Sequence, residues 1–530
     1  MVHLEINKKK ISMAASSTVL DAARKLNIHI PTLCFLDGHE NFTSCMICVV
    51  HEKNSDMLIP ACSAPVAPGM RIETDNEKVR EARKDTLDLL LSEHVGDCEA
   101  PCQRACPANM NIPLMIRQIG EGRFEEAIST VKKDIAIPAV LGRICPAPCE
   151  NACNRKYRDN PVSICLLKRF VADVDLSQKS PYKPPLKKKS GKRVAIVGAG
   201  PAGLAAAYHL LQLGHACHAY DDHPEPGGML RYGVSKDVLP GSVLDKEIDQ
   251  ILALGMRFHA EKTLGKDITL EALHDGYDAV VLSMGTVDPG RLDLTGIGLS
   301  SRGIDVNRNT FETSILSIFA GGNSIGESKR AIRAVGHGKS IAVSVNQALS
   351  GTPVTGLPKR FNSGTGKIQK DEIAEFKKGS AFFKSILPAA GMETGYQDFE
   401  AKKESSRCFH CDCRKPVSCQ LRKFADEYAA DQKRFRTSLR SSFERIVQHD
   451  RVIYEPGKCI KCGLCVQITK KAGEKFGLTF VGRGFDVRIT SPFNESLDRA
   501  LKKAAQLCVT HCPTAALSAR DSEELDHVDH

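Results

Sequence analysis

Cysteine spacing constrains this chain more than any other feature of its sequence. All of the 21 cysteines except Cys217 stand in dense groups, often with only two or three residues between neighbours. Such density is typical either of disulfide frameworks in small secreted domains or of thiolates that hold metal ions or clusters. The chain has 530 residues, which is room for about three to five cored domains. Metal or cluster ligation is therefore the favoured interpretation.

Composition argues against several classes of protein. The formal net charge is +10, but basic residues are spread along the chain outside the stretch "PYKPPLKKKSGKR", and there is no tryptophan. A solvated surface explains this charge better than a nucleic-acid partner does. The N-terminal lysines are not followed by an apolar segment, and glycines interrupt the longest apolar runs. We therefore expect a cytoplasmic chain with no signal peptide, no membrane span and no nucleic-acid partner.

Periodicity and composition predict a modular α/β fold. Residues near the N-terminus alternate apolar and polar ("HLEINKKKI"), whereas "EKVREARKDTLDLLLSEH" has helical spacing. The predicted segments are a β-rich domain at 1–80, a helical domain at 81–178, a Pro/Lys-rich linker at 179–192, a dinucleotide-binding domain at 193–352, a polar and largely helical connector at 353–450, and a compact cysteine-containing domain at 451–530.

The first cysteine group has the spacing C-x10-C-x2-C-x13-C and comprises Cys34, Cys45, Cys48 and Cys62. Thiolates from one wrapping loop and a more distant strand suit an iron–sulfur cluster, with structural zinc as the alternative. The stretches "IPTLC" and "PAC" resemble the 2Fe–2S domain at the start of the largest peripheral subunit of complex I and of iron-only hydrogenases. This resemblance implies a β-grasp ferredoxin fold with one 2Fe–2S cluster.

The next cysteines lie in "HVGDCEAPCQRACPANMNIP" and "RICPAPCENACNRKY". These stretches resemble the N-terminal helical domain of the glutamate synthase small subunit and of dihydropyrimidine dehydrogenase. The resemblance implies two 4Fe–4S clusters that share ligands from both stretches. By position, it assigns Cys102 and Cys153 to one cluster and Cys106, Cys145 and Cys149 to the other.

The leading cysteine pair of that family is missing here. Instead, His94 and Cys98 have the spacing H-x3-C, which is also how the histidine-ligated cluster of complex I and hydrogenases begins. We therefore expect His94, Cys98, Cys102 and Cys153 to hold one cluster, whose reduction potential the imidazole should raise. The alternative is a surface histidine, with Asp97 or water as the fourth ligand.

The other cluster departs from the family at its fourth ligand. The family has Gln or Glu at the position of Lys168, and a cationic amine cannot ligate iron. Cys165 lies three residues earlier, one helical turn away on the same face. We therefore expect Cys165 to complete the set of Cys106, Cys145 and Cys149.

A dinucleotide-binding motif begins the segment at 193–352. Gly198, Gly200 and Gly203 form a G-x-G-x-x-G turn between a predicted strand and helix, and Asp221 follows 18 residues later, after a second strand. The glycines let the backbone approach a pyrophosphate at the helix N-terminus, and the acid accepts a ribose hydroxyl. The surrounding strand, helix and acid make this motif specific.

The same segment resembles the FAD domain of the glutamate synthase small-subunit family, within the pyridine-nucleotide–disulfide oxidoreductases. The matching stretches are "PEPGGMLRYGV", "SMGT" and "IFAGGN". The residues that the resemblance implies as FAD contacts are Gly198, Gly200, Pro201, Ala202, Gly203, Asp221, Gly228, Met229, Arg231, Gly285, Thr286, Gly322 and Asn323. The family has Asp where Asn323 stands, so this contact would be uncharged.

A second nucleotide domain, for NAD(P)H, is expected to be absent. Family members insert one after the turn that Gly285 marks here. Only about twenty residues, "TVDPGRLDLTGIGLSSRGID", separate this turn from the returning FAD segment, whereas a βαβ unit needs about 30. We therefore expect FAD without a nicotinamide domain, and an inert buried thiol at Cys217.

Two further cysteine groups follow the dinucleotide segment. The first comprises Cys408, Cys411, Cys413 and Cys419, within 12 residues, and suits either tetrahedral zinc or a 4Fe–4S cluster. The last comprises Cys459, Cys462, Cys465 and Cys512. Its C-x2-C-x2-C…C-P pattern and the stretch "GLTFVGRGFD" resemble the two-cluster ferredoxin domain of complex I and hydrogenases. Because Thr469 occupies a ligand position of the other cluster, we expect one 4Fe–4S cluster here and a packing role for Cys508.

These motifs predict a β-grasp 2Fe–2S ferredoxin domain, an α-helical two-cluster domain, a Rossmann-type FAD domain, a helical connector and a C-terminal ferredoxin-like domain. The expected cofactors are FAD, one 2Fe–2S cluster, three 4Fe–4S clusters, and a fourth 4Fe–4S cluster or zinc at Cys408, Cys411, Cys413 and Cys419. FAD exchanges two electrons and a cluster passes one, so such a chain suits electron transfer.

The favoured hypothesis is an electron-transfer subunit of a larger oxidoreductase complex. Substrate chemistry would lie on a hydrogenase-, formate dehydrogenase- or diaphorase-like partner, with ferredoxin as a further candidate partner. Flavin-based electron bifurcation is compatible with this arrangement. The alternatives are a self-sufficient NAD(P)H-dependent oxidoreductase and a zinc-stabilised scaffold without activity.

Overall fold

The computed structural model describes residues 1–287, 296–436 and 440–520. The chain forms two compact units. The first unit contains residues 1–99, 360–379 and 410–530, and the second contains residues 100–359 and 380–409. The boundaries of these units do not coincide with two of the predicted segments. The predicted helical domain at 81–178 is divided after Glu99, and the connector at 353–450 contributes to both units.

The N-terminal residues form a five-stranded sheet with two helices. The elements are β1 (Val2–Ile6), β2 (Lys9–Met13), α1 (Val19–Lys25), β3 (Val49–Glu52), β4 (Met57–Pro60), β5 (Arg71–Glu73) and α2 (Glu77–Ser92). The strand order is β2-β1-β5-β3-β4, with β1 and β5 parallel and the other pairs antiparallel. Alternation in β1 buries Val2, Leu4 and Ile6 on one face. Thr18 and Asp21 form a capping box that begins α1.

The second unit begins with short helices. These are α3 (Pro101–Ala105), α4 (Ile112–Gly120), α5 (Phe124–Lys132), α6 (Pro138–Ile144), α7 (Pro148–Asn151) and α8 (Ile164–Ser177). Prolines begin α3, α6 and α7, where the first helical N–H needs no intrahelical partner. Gly122, with φ +79°, separates α4 from α5.

A parallel sheet forms the rest of this unit. The elements are β6 (Arg193–Val197), α9 (Pro201–Gln212), β7 (Ala216–Tyr220), α10 (Met229–Tyr232), α11 (Gly241–Ala253), β8 (Arg257–His259), α12 (Leu270–Gly276), β9 (Ala279–Leu282), β10 (Leu299–Ser300), β11 (Gly303–Ile304), β12 (Ile318–Ala320) and α13 (Ala331–Leu349). The strand order is β12-β9-β6-β7-β8, and all four pairings are parallel. The hairpin of β10 and β11 lies in the short segment that follows Gly285, which the sequence predicts to be too short for a nicotinamide domain. Residues 288–295 of that segment lie outside the described residues.

The remaining elements are short. They are α14 (Glu372–Lys377), α15 (Asp398–Ser405), α16 (Gln420–Glu427), β13 (Val452–Tyr454), α17 (Leu464–Lys471), β14 (Thr479–Val481), β15 (Arg488–Thr490), α18 (Leu497–Ala500), α19 (Ala505–His511) and β16 (Leu517–Ala519). The antiparallel pairs are β13 with β16 and β14 with β15. The tail of the predicted last domain, 521–530, lies outside the described residues.

The prediction of a largely helical connector at 353–450 is wrong. Among its described residues, only α14, α15 and α16 are α-helical. Much of the rest is extended chain whose carbonyls accept hydrogen bonds from buried arginine side chains. Arg407, for example, donates to Phe383 O and Pro161 O within the second unit. Tertiary hydrogen bonds thus replace the local ones that a helix would supply.

Cysteines contribute to the hydrophobic cores of both units. The first unit has one core under its five-stranded sheet, which includes Cys48 and Cys62, and a second that includes Cys34, Cys45, Cys419 and Cys462. The core of the second unit includes Cys106 and Cys149. Within the described ranges, no helix combines the length and apolar character needed to cross a bilayer.

Candidate functional site

The first cysteine group surrounds the hairpin of β3 and β4. Cys45 and Cys48 precede β3, Cys62 follows β4, and Cys34 lies in the loop after α1. Contact with Cys45 lowers the pKa of Cys34 to about 5, and contact with Cys48 lowers the pKa of Cys62 to about 7. The pKa values of Cys45 and Cys48 rise in return, because each faces a thiolate. The structure thus brings the four predicted thiols together as two contacting pairs.

The loop before β3 is tightly wound around these thiols. Thr43 and Met46 adopt left-handed backbone conformations, with φ of +50° and +53°. Thr43 Oγ1 lies 3.9 Å from Cys62 Sγ. Such backbone conformations are rare outside glycine and occur where a loop closes on a site.

A second group of thiols collects at the ends of helices in the second unit. Cys106 follows α3, Cys145 follows α6, Cys149 lies in α7 and Cys165 lies in the first turn of α8. Contact with Cys145 lowers the pKa of Cys165, but contact with Cys149 and burial outweigh this effect and raise that pKa to about 12. Burial also raises the pKa of Cys106. The four thiols that the sequence predicts for one cluster therefore lie together.

Lys168 lies in the same site as a buried cation. Its Nζ is 3.9 Å from Cys165 Sγ, one turn along α8. Burial lowers the pKa of Lys168, but the thiols of Cys165, Cys145 and Cys149 outweigh burial and raise it. The ammonium therefore stays charged and would favour additional negative charge on a group held there. Sequence reasoning treated this position only as a lost ligand.

Cys102, Cys153 and Cys408 pack against one core in the second unit. Cys153 comes shortly after α7, and Cys408 comes shortly after α15. The buried guanidinium of Arg155 donates a 2.9 Å hydrogen bond to Arg407 O, which joins the two segments. Sequence spacing grouped Cys408 with the three cysteines that follow it, but those three belong to the first unit.

Cys98 lies beside Cys413 and Cys419 in the first unit. The amide of Cys413 donates a 3.2 Å hydrogen bond to Cys98 O. Burial raises the pKa of Cys419 to about 12, and both Cys413 and Cys98 add to the effect. Ser363 contacts Cys98 directly, with its Oγ 3.2 Å from Cys98 Sγ. Sequence reasoning did not foresee this juxtaposition.

His94, which the sequence pairs with Cys98, lies in the same unit. Burial lowers the pKa of His94 to about 3, and Lys458 acts in the same direction. Its Nδ1 is buried without a hydrogen-bond partner. The other two members of the predicted ligand set, Cys102 and Cys153, belong to the second unit.

The last cysteine group lines a small apolar cavity of about 20 Å³ in the first unit. Cys459, Cys462 and Cys465 lie around the start of α17, and Cys512 follows α19. The other lining residues are Tyr454, Ile460, Leu464, Ile489, Pro513, Thr514, Ala516 and Leu517. Gly463, with φ +77°, turns the chain so that the cysteines on either side of it reach the cavity. The donor set and the apolar walls fit an iron–sulfur cluster.

Thr469 and Cys508 pack beside this group. Thr469 Oγ1 donates a 2.9 Å hydrogen bond to Cys465 O and accepts a 3.1 Å bond from Leu478 N. Cys508 is fully buried, and burial raises its pKa to about 12. Both side chains are thus engaged in packing and hydrogen bonding.

The cysteine groups of the first unit adjoin one another. One core contains Cys34 and Cys45 of the first group, Cys462 of the last group, and Cys419. Burial and the Cys512 thiol raise the pKa of Cys462, and the Cys34 thiol lies close enough to add to this effect. Cys512 in turn contributes to the raised pKa of Cys419. The three groups therefore form a continuous series through this unit.

Loop contacts hold the first group against the last. Gln467 Nε2 in α17 donates a 2.5 Å hydrogen bond to Glu40 O, and Lys471 Nζ donates a 3.1 Å bond to Gly38 O. A Cβ at Gly463 would lie 2.6 Å from the Phe42 ring, so the close packing depends on glycine.

The predicted dinucleotide residues gather at the carboxyl edge of the parallel sheet. Gly198 follows β6, Asp221 follows β7, Gly285 follows β9 and Gly322 follows β12. Open α/β sheets bind ligands at this edge. The structure therefore brings together residues from separate sequence motifs.

Close backbone approach explains the spacing of the three glycines. A Cβ on Gly198, which has φ +97°, would lie 2.4 Å from Ser283 O, and a Cβ on Gly203 would lie 2.0 Å from Gly198 O. By contrast, the nearest atom to a Cβ on Gly200 would be Gly228 Cα, 4.0 Å away. Gly200 thus leaves open space at the N-terminus of α9, where a pyrophosphate binds in such folds.

The remaining predicted contacts surround this opening. Pro201 and Ala202 form the first turn of α9, and Asp221 Oδ2 accepts a 2.6 Å hydrogen bond from Ala199 N. Met229 and Thr286 are exposed. Arg231 donates to Asp245, and Asn323 accepts a 3.1 Å bond from Ser328 N.

Two further side chains shape this edge, of which only Ser283, in the stretch "SMGT", lies within a motif. Ser283 Oγ donates a 3.0 Å hydrogen bond to Gly198 O. His337 Nδ1 accepts a 3.2 Å bond from Gly322 N, and burial lowers the pKa of His337 to about 4. Both residues hold glycine turns in place from neighbouring elements, and only the folded structure reveals this role.

Three family models match parts of the chain. Residues 1–77 match a 2Fe-2S iron-sulfur cluster binding domain, residues 79–180 match dihydropyrimidine dehydrogenase domain II, 4Fe-4S cluster, and residues 196–258 match an NAD(P)-binding Rossmann-like domain. Together with the parallel sheet, these matches confirm the predicted order of 2Fe–2S, 4Fe–4S and Rossmann-type segments.

Curated relatives match about a third to two fifths of the chain. The NADPH-Fe(3+) oxidoreductase subunit beta of Geobacter sulfurreducens is 42% identical over 190 residues, which is 35% of this chain and 28% of that protein. The NADP(+)-dependent formate dehydrogenase subunit beta of Moorella thermoacetica is 37% identical, over 37% of this chain and 31% of that protein. The glutamate synthase [NADPH] small chain of Mycobacterium tuberculosis is 33% identical, over 42% and 44%. The chain thus spans less than half the length of each of these relatives.

Proposed function

We propose that this chain is an electron-transfer subunit of a multi-subunit oxidoreductase, with several iron–sulfur clusters and one flavin. The observation that carries the proposal is the continuous series of cysteine groups in the first unit, where Cys34 adjoins Cys462 and Cys512 adjoins Cys419. Electrons pass between centres only when these lie close together, and a shared core keeps these groups at short range. A structural role for the thiols would not require such adjacency.

The residues of each group fit this role. The paired thiols of Cys34 with Cys45 and of Cys48 with Cys62 suit a 2Fe–2S cluster. The last group suits a 4Fe–4S cluster, since four thiols converge on a cavity with apolar walls. A cluster passes one electron at a time and FAD exchanges two, so a chain that binds both can connect the two kinds of partner.

We further propose that the dinucleotide at the edge of the parallel sheet is FAD. The description of the matched family names NAD(P), so the identity of the dinucleotide needs a direct test. The buried carboxylate of Asp221 suits a ribose hydroxyl and disfavours the 2′-phosphate of NADP. The loop at Gly227 and Gly228 folds back on the glycine turn, with Gly227 N donating a 2.9 Å bond to Ala199 O.

The names of the relatives support a place in a larger complex. Both the Geobacter and the Moorella protein are named as beta subunits, of an NADPH-Fe(3+) oxidoreductase and of a formate dehydrogenase. Donor or acceptor chemistry would then lie on partner chains of hydrogenase, formate dehydrogenase or diaphorase type, or on ferredoxin. Flavin-based electron bifurcation is an extension of this proposal that a redox titration of the flavin tests.

Anaerobic purification of the full chain tests the proposal. We expect about 14 irons per chain from one 2Fe–2S and three 4Fe–4S clusters, or about 18 with a fourth, together with FAD released by acid. Dithionite should reduce clusters and flavin, whereas NAD(P)H alone should leave the flavin oxidised. Zinc with little iron would contradict the proposal, and rapid bleaching by NAD(P)H would favour the self-sufficient oxidoreductase instead.

A further inference from the structure

We propose that Cys98, Cys413, Cys419 and His94 ligate one 4Fe–4S cluster in the first unit. This set differs from the sequence-based assignments, which place Cys98 with Cys102 and treat the four cysteines from Cys408 to Cys419 as one local site. The role of the cluster as a relay rests on the proposed function, but the ligand set itself does not.

Backbone geometry brings the two distant segments together. Cys413 N donates a 3.2 Å hydrogen bond to Cys98 O, although the two residues are far apart in sequence. Ser363 supports this junction from a third segment, because its Oγ donates a 2.8 Å bond to Gly96 O and its N donates a 3.4 Å bond to Cys98 Sγ. An amide that donates to a sulfur is typical of the surroundings of a cluster thiolate.

Arg422 joins the third thiol to the other two. Its backbone N lies 3.5 Å from Cys419 Sγ, and its guanidinium donates a 2.7 Å hydrogen bond to Glu99, next to Cys98. The Arg422 side chain is largely buried and lies near the thiols of Cys98 and Cys413. A buried cation near two of the three thiols fits an anionic centre better than neutral thiols.

His94 supplies the fourth ligand. Its Nδ1 is buried and has no hydrogen-bond partner, although a buried imidazole nitrogen normally has one. His94 and Cys413 share two charged neighbours, Lys458 and Glu455, which places them in one environment. A bond from Nδ1 to iron would satisfy this nitrogen.

Three other cysteines lie outside the first unit, whereas Cys411 belongs to it. Cys102, Cys153 and Cys408 pack against the core of the second unit. The run from Cys408 to Cys419 therefore does not act as one local site. Its members serve different centres because the chain passes from the second unit to the first between Phe409 and His410.

Single and double serine variants of the full chain, purified anaerobically, test the ligand set. Cys98→Ser, Cys413→Ser and Cys419→Ser should each lose the same EPR signal of the reduced protein and about four irons per chain. Because all three residues serve one cluster, the double variant Cys98→Ser/Cys413→Ser should lose no more iron than either single variant. Cys508→Ser, at a buried thiol of the same unit outside this set, should keep all iron.

Additive iron loss in the double variant, or loss of different signals by the two single variants, would overturn the shared site. Loss of zinc instead of iron would overturn it as well. The EPR signal of the 2Fe–2S cluster shows that each variant has folded, since Cys34, Cys45, Cys48 and Cys62 remain intact. These readouts do not depend on any partner, so electron transfer can fail while the ligand set stands.

The histidine ligand has its own readout. His94→Cys should keep the iron but lower the midpoint potential of this one signal, because a thiolate stabilises the oxidised cluster more than an imidazole does. His94→Gln should lose the cluster or change its EPR line shape. An unchanged line shape and potential in both variants would remove His94 from the ligand set.

Discussion

The cysteine sites of the two units differ in what surrounds the thiols. In the second unit, the buried ammonium of Lys168 lies 3.9 Å from Cys165 Sγ. In the first unit, the last cysteine group lines a cavity whose other walls are largely apolar. A nearby cation stabilises the extra electron of a reduced cluster, whereas an apolar wall does not. Two sites with the same kind of ligand are therefore expected to have different reduction potentials, with the higher one in the second unit.

The largest expected effect concerns Cys165, on which the comparison depends. Cys165→Ser should remove about four irons per chain, because it takes one of four converging thiols from the second-unit site. Cys217→Ser is the matched control, since this thiol is buried in the same unit but lies outside the site. Iron analysis and EPR of the reduced protein measure the result. Unchanged iron in Cys165→Ser would mean that another group supplies the fourth ligand.

Removing the buried charge should bring the two sites closer in potential. Lys168→Met should lower the midpoint potential of the second-unit cluster by on the order of 100 mV, since a charge a few ångströms away contributes about 2 to 4 kcal/mol at an effective dielectric constant near 20. Lys168→Arg keeps the charge and serves as the control. An EPR-monitored redox titration measures both. Equal shifts of the midpoint potential in Lys168→Met and Lys168→Arg would show that packing, and not charge, causes the effect.

Two buried glutamates extend the comparison to pH. Glu247 accepts 2.8 Å hydrogen bonds from Ala139 N and Val140 N at the start of α6, and burial raises its pKa to about 7. Glu455 is also buried, but ion pairs with Lys458 and Arg445 outweigh burial and lower its pKa to about 2. Glu247 therefore makes the folded state less stable as pH rises from about 4.5 to 7. Glu455 stabilises the folded state above pH 4.5, and this contribution is lost as pH falls toward 2.

Glu247→Gln should remove part of the pH dependence of the second unit. We expect the fall in the free energy of unfolding between pH 5 and pH 7.5 to shrink by about 1 to 3 kcal/mol, because the amide does not ionise. Glu455→Gln should leave the change over this pH range as it is, since Glu455 stays ionised throughout it. Denaturant unfolding at the two pH values measures the effect, and an unaltered pH dependence in Glu247→Gln would contradict it.

The smallest effect is expected at the boundary of the last cysteine group. Thr469→Cys should bind no additional iron and should cost about 1 kcal/mol of stability, because the hydroxyl contacts with Cys465 O and Leu478 N are weakened. Iron analysis and the midpoint of denaturant unfolding measure the two effects. A gain of about four irons would show that a second cluster site survives there, which would make the two units more alike than we infer.

Local spacing was enough to predict much of the candidate sites. Cys459, Cys462 and Cys465 are separated from one another by two residues each. A single turn therefore presents all three to one cavity, independently of the rest of the fold. The requirement for glycine at Gly203 is equally local, because its close approach to Gly198 O lies within one strand–helix unit, whereas Gly198 is required by Ser283 O, which follows a later strand. Helix content in the connector was overestimated, since polar periodicity does not show that buried arginines such as Arg407 will satisfy loop carbonyls.

The sequence by itself determined which side chains can act as ligands and where the dinucleotide turn lies, because residue type and short-range spacing set these properties. Only the tertiary structure decided which distant segments meet: Cys98 with Cys413 and Cys419, the segment of Cys153 with that of Cys408, and Lys168 with the thiols around it. Long-range closure depends on how cores pack and how buried polar groups find partners, and neither is encoded in the spacing of neighbouring residues.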